Sequence, residues 1–233
     1  MIRAAAAACA LVVASPAAGE GAPAVPFEWF DLDAERQQPD DPSDPFDGTA
    51  LAPFWRTVDP GPPRWRLEDG RLVVTAGRAP LSGPAPALFG RTVPGERFVA
   101  TTLLDYSTLE DGDAAGLALW RDADRWVTIQ VEKITPAHLV AVRLHDRAGA
   151  MPAGRLVATV PVPGHGAMHV RLAIRRQGGA LRLLYAMPDS PWQVVGGDLD
   201  AAFLDGYPVD TEGTGPTAGP LAGVFAFDGA ERD

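Results

Sequence analysis

The stretch FVATTLLDYSTLEDGDAAGLALWRDADRWVTIQVEK, residues 98–133, carries the clearest structural signal in the chain. Its last third alternates in side-chain type, with Trp126, Thr128, Gln130 and Glu132 on one side and Val127, Ile129, Val131 and Lys133 on the other. Successive side chains leave opposite faces of a β-strand, so this period of two indicates a strand. The Gly- and Asp-containing segments 110–113 and 121–125 are typical of turns. We therefore predict three consecutive strands of one meander.

Similar short patterns continue on both sides of this stretch, and no long helical pattern interrupts them. The 23 prolines and 25 glycines fall mainly between the apolar runs, as expected if those runs are strands. A sheet with one apolar face needs a second layer, so the chain is predicted to be all-β, a two-layer antiparallel β-sandwich. The predicted strands outside 98–133 are Val25–Leu32, Trp65–Leu67, Arg71–Thr75, Ala87–Arg91, Leu139–His145, Leu156–Val160, Met168–Arg175, Leu181–Tyr185, Gln193–Val195 and Leu221–Phe227, with one helical turn at Asp200–Leu204.

Composition narrows the function classes. At 46% hydrophobic and 21% charged residues, a chain of 233 residues can bury a core, so it is not globally disordered. The formal net charge of −10 argues against nucleic acid as a partner, because a phosphate backbone is bound by a basic surface.

The N-terminus has the pattern of a secretory signal peptide, predicted for residues 1–24. Arg3 supplies the positive charge, the apolar run Ala4–Ala14 is too short to span a bilayer, and small residues follow it. We expect cleavage between Ala17 and Ala24, which would make the protein secreted or periplasmic, with no transmembrane segment in the mature chain. Cys9, the sole cysteine, lies inside this leader; the apolar stretch before it is short for a lipoprotein signal. Residues 25–233 would then form a domain without a disulfide.

The order of several motifs resembles the concanavalin A-like β-sandwich at the C-terminus of family 43 β-xylosidases, over about Asp44–Asp228. The motifs are DPFDGTALAPFW (44–55), GRLVVTAGRAPLSGPAPALFGR (70–91), DAAGLALWRDADRWVTIQV (113–131), LRLLYAMPDSPWQVVGGDLDAAFLD (181–205) and TGPTAGPLAGVFAFD (214–228). The resemblance implies a concanavalin A-like jelly roll. No single motif is specific, but their order along the chain is.

Three departures from the family limit what the resemblance implies. Nothing long enough for the family's catalytic propeller precedes Asp44, so glycosidase activity is not carried over. Gly213 stands where the family has a Phe that closes the propeller's pocket. The family's last strand is missing after Phe227, and Phe27–Phe30 (FEWF) resembles it; we hypothesise that this segment fills its place, the alternative being an unrelated amphipathic strand.

Metal-binding patterns are weak. The four histidines lack the tight spacing of a zinc site. Calcium takes carboxylate oxygens from loops, and Glu28, Asp44 and Asp47 are its candidate ligands if Glu28 lies beside the segment that begins at Asp44. The alternative is that these residues are ordinary turn acids.

A glycan site would need an aromatic platform with planar hydrogen-bonding groups beside it. The candidate ligand-binding residues, expected together on one concave sheet face, are Trp120, Trp126, Gln130, Arg143, His145 and Arg171. The alternative is that both tryptophans cover the sandwich under a loop, since Trp is mostly buried. Trp55, Trp65 and Trp192 are assigned to packing.

Catalytic groups are not recognisable in the sequence. Glycoside hydrolysis uses two carboxyl groups held across the scissile bond, whereas Glu110, Asp111 and Asp113 are adjacent in one turn and are expected to be solvated. We therefore predict a secreted, non-catalytic carbohydrate-recognition or accessory module that binds an oligo- or polysaccharide. The alternatives are a glycan-acting hydrolase or lyase with an unrecognised site, and a structural envelope protein. The oligomeric state and the glycan are not predicted.

Overall fold

The computed structural model of this chain describes residues 10–13, 27–31, 44–58, 61, 64–93, 95–146, 151–205 and 219–229. These residues form two antiparallel β-sheets and one short 3-10 helix, so the prediction of an all-β antiparallel sandwich is confirmed. The strands are β1 (Ala10–Val13), β2 (Phe27–Asp31), β3 (Arg56–Thr57), β4 (Trp65–Leu67), β5 (Leu72–Thr75), β6 (Leu88–Thr92), β7 (Arg97–Asp105), β8 (Ala114–Asp122), β9 (Arg125–Ile134), β10 (Ala137–His145), β11 (Arg155–Val162), β12 (His169–Gln177), β13 (Ala180–Ala186), β14 (Gln193–Val194), β15 (Leu199–Asp200) and β16 (Leu221–Phe227), and the 3-10 helix is Ala202–Leu204.

The two sheets differ in how the chain passes through them. The seven-stranded sheet has the order β11-β10-β9-β8-β16-β6-β3, so β8 to β11 form a true meander. The nine-stranded sheet has the order β14-β13-β12-β7-β1-β5-β4, with β2 paired to β7 and β15 to β13. No helix in the described ranges is long and apolar enough to cross a membrane.

The core lies between the sheets and follows the alternation in the sequence. On β9, Val127, Ile129 and Val131 are fully buried in it, and on β12 Leu172 and Ile174 meet them from the other layer. Burial of such side chains supplies about 1.5–3 kcal/mol each, which makes this interior the main source of stability.

The predicted three-strand meander over 98–133 is wrong in its first strand. β7 lies in the nine-stranded sheet and pairs along its full length with β12, from Arg97 opposite Gln177 to Asp105 opposite His169. Segment 106–113 carries the chain from one layer to the other before β8 and β9 pair. Alternation identifies a strand but not its partner, because the partner is chosen by contacts distant in sequence.

The hairpin between β4 and β5 forms as predicted. Asp69 and Gly70 have φ angles of 52° and 68°, the left-handed pair that a two-residue type I′ turn requires. The strand at 181–185 and its partner at 193–195 also form the predicted hairpin, and the predicted helical turn is the 3-10 helix.

The N-terminal predictions are partly covered by the described residues. Within the predicted signal peptide, β1 pairs antiparallel with β5 and with the end of β7. The predicted strand at 25–32 is present as β2, which pairs antiparallel with β7. Leader cleavage, and the replacement of the family's last strand, stay predictions. Gly213 lies outside the described residues.

We predict that Gly116→Ala destabilises the domain. A Cβ at Gly116 would lie 2.3 Å from the Ile129 carbonyl oxygen and 2.6 Å from the Gln130 Cα, so β8 and β9 would have to separate. We expect a loss of about 1–3 kcal/mol in the free energy of unfolding, measured by urea denaturation.

Gly179→Ala is the matched control, because a Cβ there would have no neighbour within 4 Å. Its free energy of unfolding should be unchanged or slightly higher. Equal stability of the two variants would contradict the close approach of β8 to β9.

Candidate functional site

The candidate site lies on the outward face of the seven-stranded sheet. β9 places Thr128, Gln130 and Glu132 on that face, opposite the core residues between them. β10 is in register with Arg143 directly beside Thr128. Although they face away from the core, Thr128, Gln130 and Glu132 are all buried.

These four side chains form a continuous hydrogen-bonded row, here called the polar ladder. The Thr128 hydroxyl donates to Gln130 Oε1 over 2.7 Å, and Gln130 Nε2 donates to Glu132 Oε1 over 2.8 Å. Arg143 donates from Nε to Glu132 Oε1 and from Nη2 to Glu132 Oε2, the latter over 3.0 Å. Arg143 Nη1 also donates to the Gly154 carbonyl over 3.3 Å.

The ion pair in the ladder is shielded from solvent, since the side chains of Arg143 and Glu132 are 22% and 9% exposed. Hydrogen bonding to the Glu132 carboxylate raises the pKa of Arg143, although burial opposes this. Arg143 therefore keeps its charge, and its guanidinium faces the Glu132 carboxylate directly.

A cavity of about 280 Å³ opens over one end of the ladder. We call it the Glu132 cavity. This volume is close to the lower end, ~300 Å³, of typical small-molecule pockets. Gln130, Glu132, Lys133 and Arg143 supply its polar lining. The apolar lining includes Pro80, Leu81, Ala114, Trp126, Ile134, Pro152, Ala153, Phe225 and Phe227.

The ladder has hydrogen-bonding capacity left over for a ligand. Counting acceptors in the described part of the chain, three of the five N–H groups of Arg143 are used and two remain, and Gln130 keeps a second amide N–H. Glu132 Oε2 accepts one of these bonds and has a further lone pair. Donors and an acceptor side by side, next to apolar walls, suit a molecule that carries several hydroxyl groups.

The predicted tryptophan platform does not form. The structure agrees instead with the alternative, in which both tryptophans cover the sandwich beneath loops. Trp126 is 2% exposed, and its ring stacks on His145 with 5.3 Å between centroids. Gly154, in the loop after β10, packs against the same ring. Trp120 donates its indole N–H to the Leu81 carbonyl over 3.0 Å. Both tryptophans therefore support the loops that wall the cavity.

The prediction that Arg171 shares this face is wrong, because Arg171 lies on β12 in the other sheet. Its guanidinium sits 5.0 Å from the ring centroid of Trp192 and donates to the Ser190 carbonyl. Trp192 was predicted to pack, yet it is 40% exposed. Alternation placed Arg171 outward correctly, but no local signal in the sequence states which sheet a strand joins.

Of the residues predicted to bind calcium, Asp44 makes hydrogen bonds within the protein and Asp47 is exposed. Asp44 is buried and accepts hydrogen bonds from the backbone N–H groups of Phe46 and Ala52 and from the Trp55 indole, over 2.8, 3.3 and 2.7 Å. No group of three metal-ligating side chains occurs among the described residues. The side chain of Glu28 is outside them, so the calcium site with Glu28, Asp44 and Asp47 stays a prediction.

The acidic turn before β8 anchors the backbone. Asp113 Oδ2 accepts the Glu110 N–H over 2.8 Å, and Asp111 Oδ1 accepts the Thr135 N–H over 2.6 Å. Asp113 is buried, which corrects the expectation that this turn is fully solvated. In the part of the chain that the structure describes, Glu132 is the one acid that lines the Glu132 cavity.

The fold and the motif order point to the same relatives. A family model described as the β-xylosidase C-terminal concanavalin A-like domain matches residues 43–233. This chain belongs to that family. The resemblance predicted from the motifs and the concanavalin A-like fold are thereby confirmed. No match is found among curated proteins.

Solved structures similar to this concanavalin A-like domain are larger proteins. The xylan β-1,4-xylosidase from Bacillus halodurans C-125 is 21% identical, with a TM-score of 0.66 over 79% of this chain and 35% of its own. The GH43 protein BlXynB from Bacillus licheniformis is 20% identical, with a TM-score of 0.66 over 82% and 36%. GH43B of the Bacteroides ovatus xyloglucan PUL is 17% identical, with a TM-score of 0.63 over 79% and 35%. The domain thus spans about a third of their length, and at this identity they establish the shared fold alone.

We predict that Glu132 and Arg143 are energetically coupled. Glu132→Leu alone, or Arg143→Met alone, leaves a shielded charge without its partner, and each should cost at least ~2 kcal/mol of unfolding free energy. The double variant removes both charges and should lose clearly less than the sum of the two. Urea denaturation of the four proteins measures the coupling, and strict additivity would show that the pair is not coupled.

Proposed function

We propose that this domain is a secreted, non-catalytic carbohydrate-recognition module, and that the Glu132 cavity binds a neutral sugar. The observation that carries the proposal is the polar ladder, which keeps free donors and an acceptor at the base of a cavity with apolar walls. Sugars present this combination, since each ring has hydroxyl groups around its edge and apolar C–H groups on its faces.

The electrostatics of the cavity favour a neutral ligand over a charged one. Arg143 and Glu132 form a salt bridge and cancel each other's charge. Lys133 also lines the cavity, and its charge is opposed by the nearby carboxylate of Asp111, whose pKa is lowered by hydrogen bonds from Thr135 and also by Lys133. An anionic sugar would meet the Glu132 carboxylate, and a cation would meet Arg143. A neutral sugar can bond to both without leaving either charge unpaired.

The names of similar structures suggest which sugars to try first. They include a xylan β-1,4-xylosidase, so xylose-based oligosaccharides are the first class of probe. The acids of the cavity support a non-catalytic role. Hydrolysis with two carboxyl groups needs a second acid on the other side of the glycosidic bond, whereas Glu132 is the one acid in the described lining and is paired with Arg143.

Binding can be measured by calorimetric titration of the purified protein with xylobiose and with other neutral disaccharides. We expect one of these ligands to bind, and Gln130→Ala to weaken it about fivefold or more, since one direct hydrogen bond and the order of the ladder are lost. Gln193→Ala is the control: Gln193 is exposed on the other sheet, so this substitution should leave the affinity unchanged.

Two outcomes would contradict this function. One is the absence of binding to any neutral sugar by the folded protein. The other is release of xylose from the oligosaccharide at a rate that Glu132→Gln abolishes, which would indicate an enzyme.

Secretion is proposed from the leader pattern of residues 1–24. The full chain expressed in a bacterial host should appear outside the cytoplasm with an N-terminus between Ala17 and Ala24, and without a thiol because Cys9 is removed. Intact-mass measurement decides this, and a cytoplasmic product that retains Met1–Gly19 would contradict it.

A further inference from the structure

A second cavity lies on the opposite side of the sandwich, on the outward face of the nine-stranded sheet. β12 and β13 pair there with Arg175 directly opposite Arg182, and Gln177 opposite Ala180. Their neighbours Ile174 and Leu181 point into the core, so the two arginines point away from it. Two like charges directly across a strand pair repel each other, which makes this pairing costly unless negative charge lies nearby.

One of the two charges is compensated within the protein. Arg182 donates from Nε to Asp198 Oδ1 and from Nη2 to Asp198 Oδ2, each over 2.7 Å. This bidentate salt bridge raises the pKa of Arg182 and lowers the pKa of Asp198. The Asp198 carboxylate is thereby committed to Arg182.

Arg175 has no comparable acidic partner among the described residues. Its Nη2 donates to the neutral Gln177 Oε1 over 3.2 Å. Its Nε–H is screened from solvent and has no acceptor in the described part of the chain. No described acid therefore cancels the charge of Arg175, and a ligand would reach the guanidinium through its Nη groups, since the Nε–H is screened.

The cavity over these residues has a volume of about 170 Å³ and is lined by Arg175, Gln177, Ala180, Arg182 and Asp198. Two guanidinium groups and one carboxylate give it a charge of +1, in a chain whose net charge is −10. This charge matches a monoanion. A dianion such as phosphate carries more negative charge than this cavity compensates, whereas a planar carboxylate can accept from the two Nη groups of Arg175.

We propose that this cavity binds the carboxylate of an acidic sugar of the uronic acid class. Arg175 holds the carboxylate, and the Gln177 amide nitrogen, next to it, donates to a ring hydroxyl. The site is independent of the Glu132 cavity, which lies on the other face of the domain and in which Arg143 is paired with Glu132.

The experiment is an NMR titration of the full chain with D-glucuronate at low ionic strength, with D-glucose and inorganic phosphate as parallel arms. We expect glucuronate to shift the NMR signals of the Arg175 Nε–H and of the Gln177 side-chain amide. Glucose should leave both signals unchanged, and phosphate should bind several-fold more weakly than glucuronate. Arg175→Gln should weaken glucuronate about tenfold. Arg66→Gln, at an exposed arginine on β4, should leave its affinity unchanged.

Folding of the variant is not expected to obscure the result, because Arg175→Gln removes the repulsion from Arg182 and should melt at the same or a higher temperature. Arg175→Lys keeps the positive charge but loses the planar guanidinium, and it should bind glucuronate with intermediate affinity. The proposal is overturned if Arg175→Gln binds glucuronate like the wild type, or if glucose or phosphate binds as tightly as glucuronate. Xylobiose binding, and its weakening in Gln130→Ala, is measured in a separate titration, so failure of one site can be distinguished from failure of the other.

Discussion

Thr128, Gln130 and Glu132 lie on the outward face of β9 and are nevertheless buried, so each needs a hydrogen-bond partner inside the protein. The loops that contain Leu81 and Gly154 cover this face, with Trp126 and Trp120 packed beneath them. The polar side chains therefore bond to one another along the strand and to Arg143 on the next strand. The Glu132 cavity exists where the loops stop short of the end of this row, and its unused donors follow from the same arrangement.

The two outward faces of the sandwich have different chemistry. Within the ladder Glu132 cancels the charge of Arg143, whereas on the face of β12 and β13 no described acid cancels the charge of Arg175. A domain with both sites would bind a neutral sugar on one face and an acidic sugar on the opposite face. The concanavalin A-like fold does not decide this, because function resides in sites and the same fold carries many of them.

Local rules predicted the strands well because alternation and turn chemistry are local. Asp69-Gly70 identified a hairpin, and the alternation of β9 correctly separated Val127, Ile129 and Val131 from the polar ladder. Partner choice was beyond these rules. β7 and β12 both read as amphipathic strands, and only their mutual pairing puts them, with Arg171, in the layer away from β9. The solvent exposure of a side chain also depends on contacts distant in sequence. The loop with Gly154 buries Trp126, while Trp192 remains exposed.

The central claim is that the ladder binds a sugar through the hydrogen-bonding groups it does not use internally. The most direct measurement is NMR of the side-chain N–H groups of Gln130 and Arg143 during titration with a neutral xylo-oligosaccharide. The account predicts that both signals shift with one common saturation curve, while the Arg175 Nε–H stays in place. Saturation of the protein with ligand while the Gln130 and Arg143 signals do not move would contradict it.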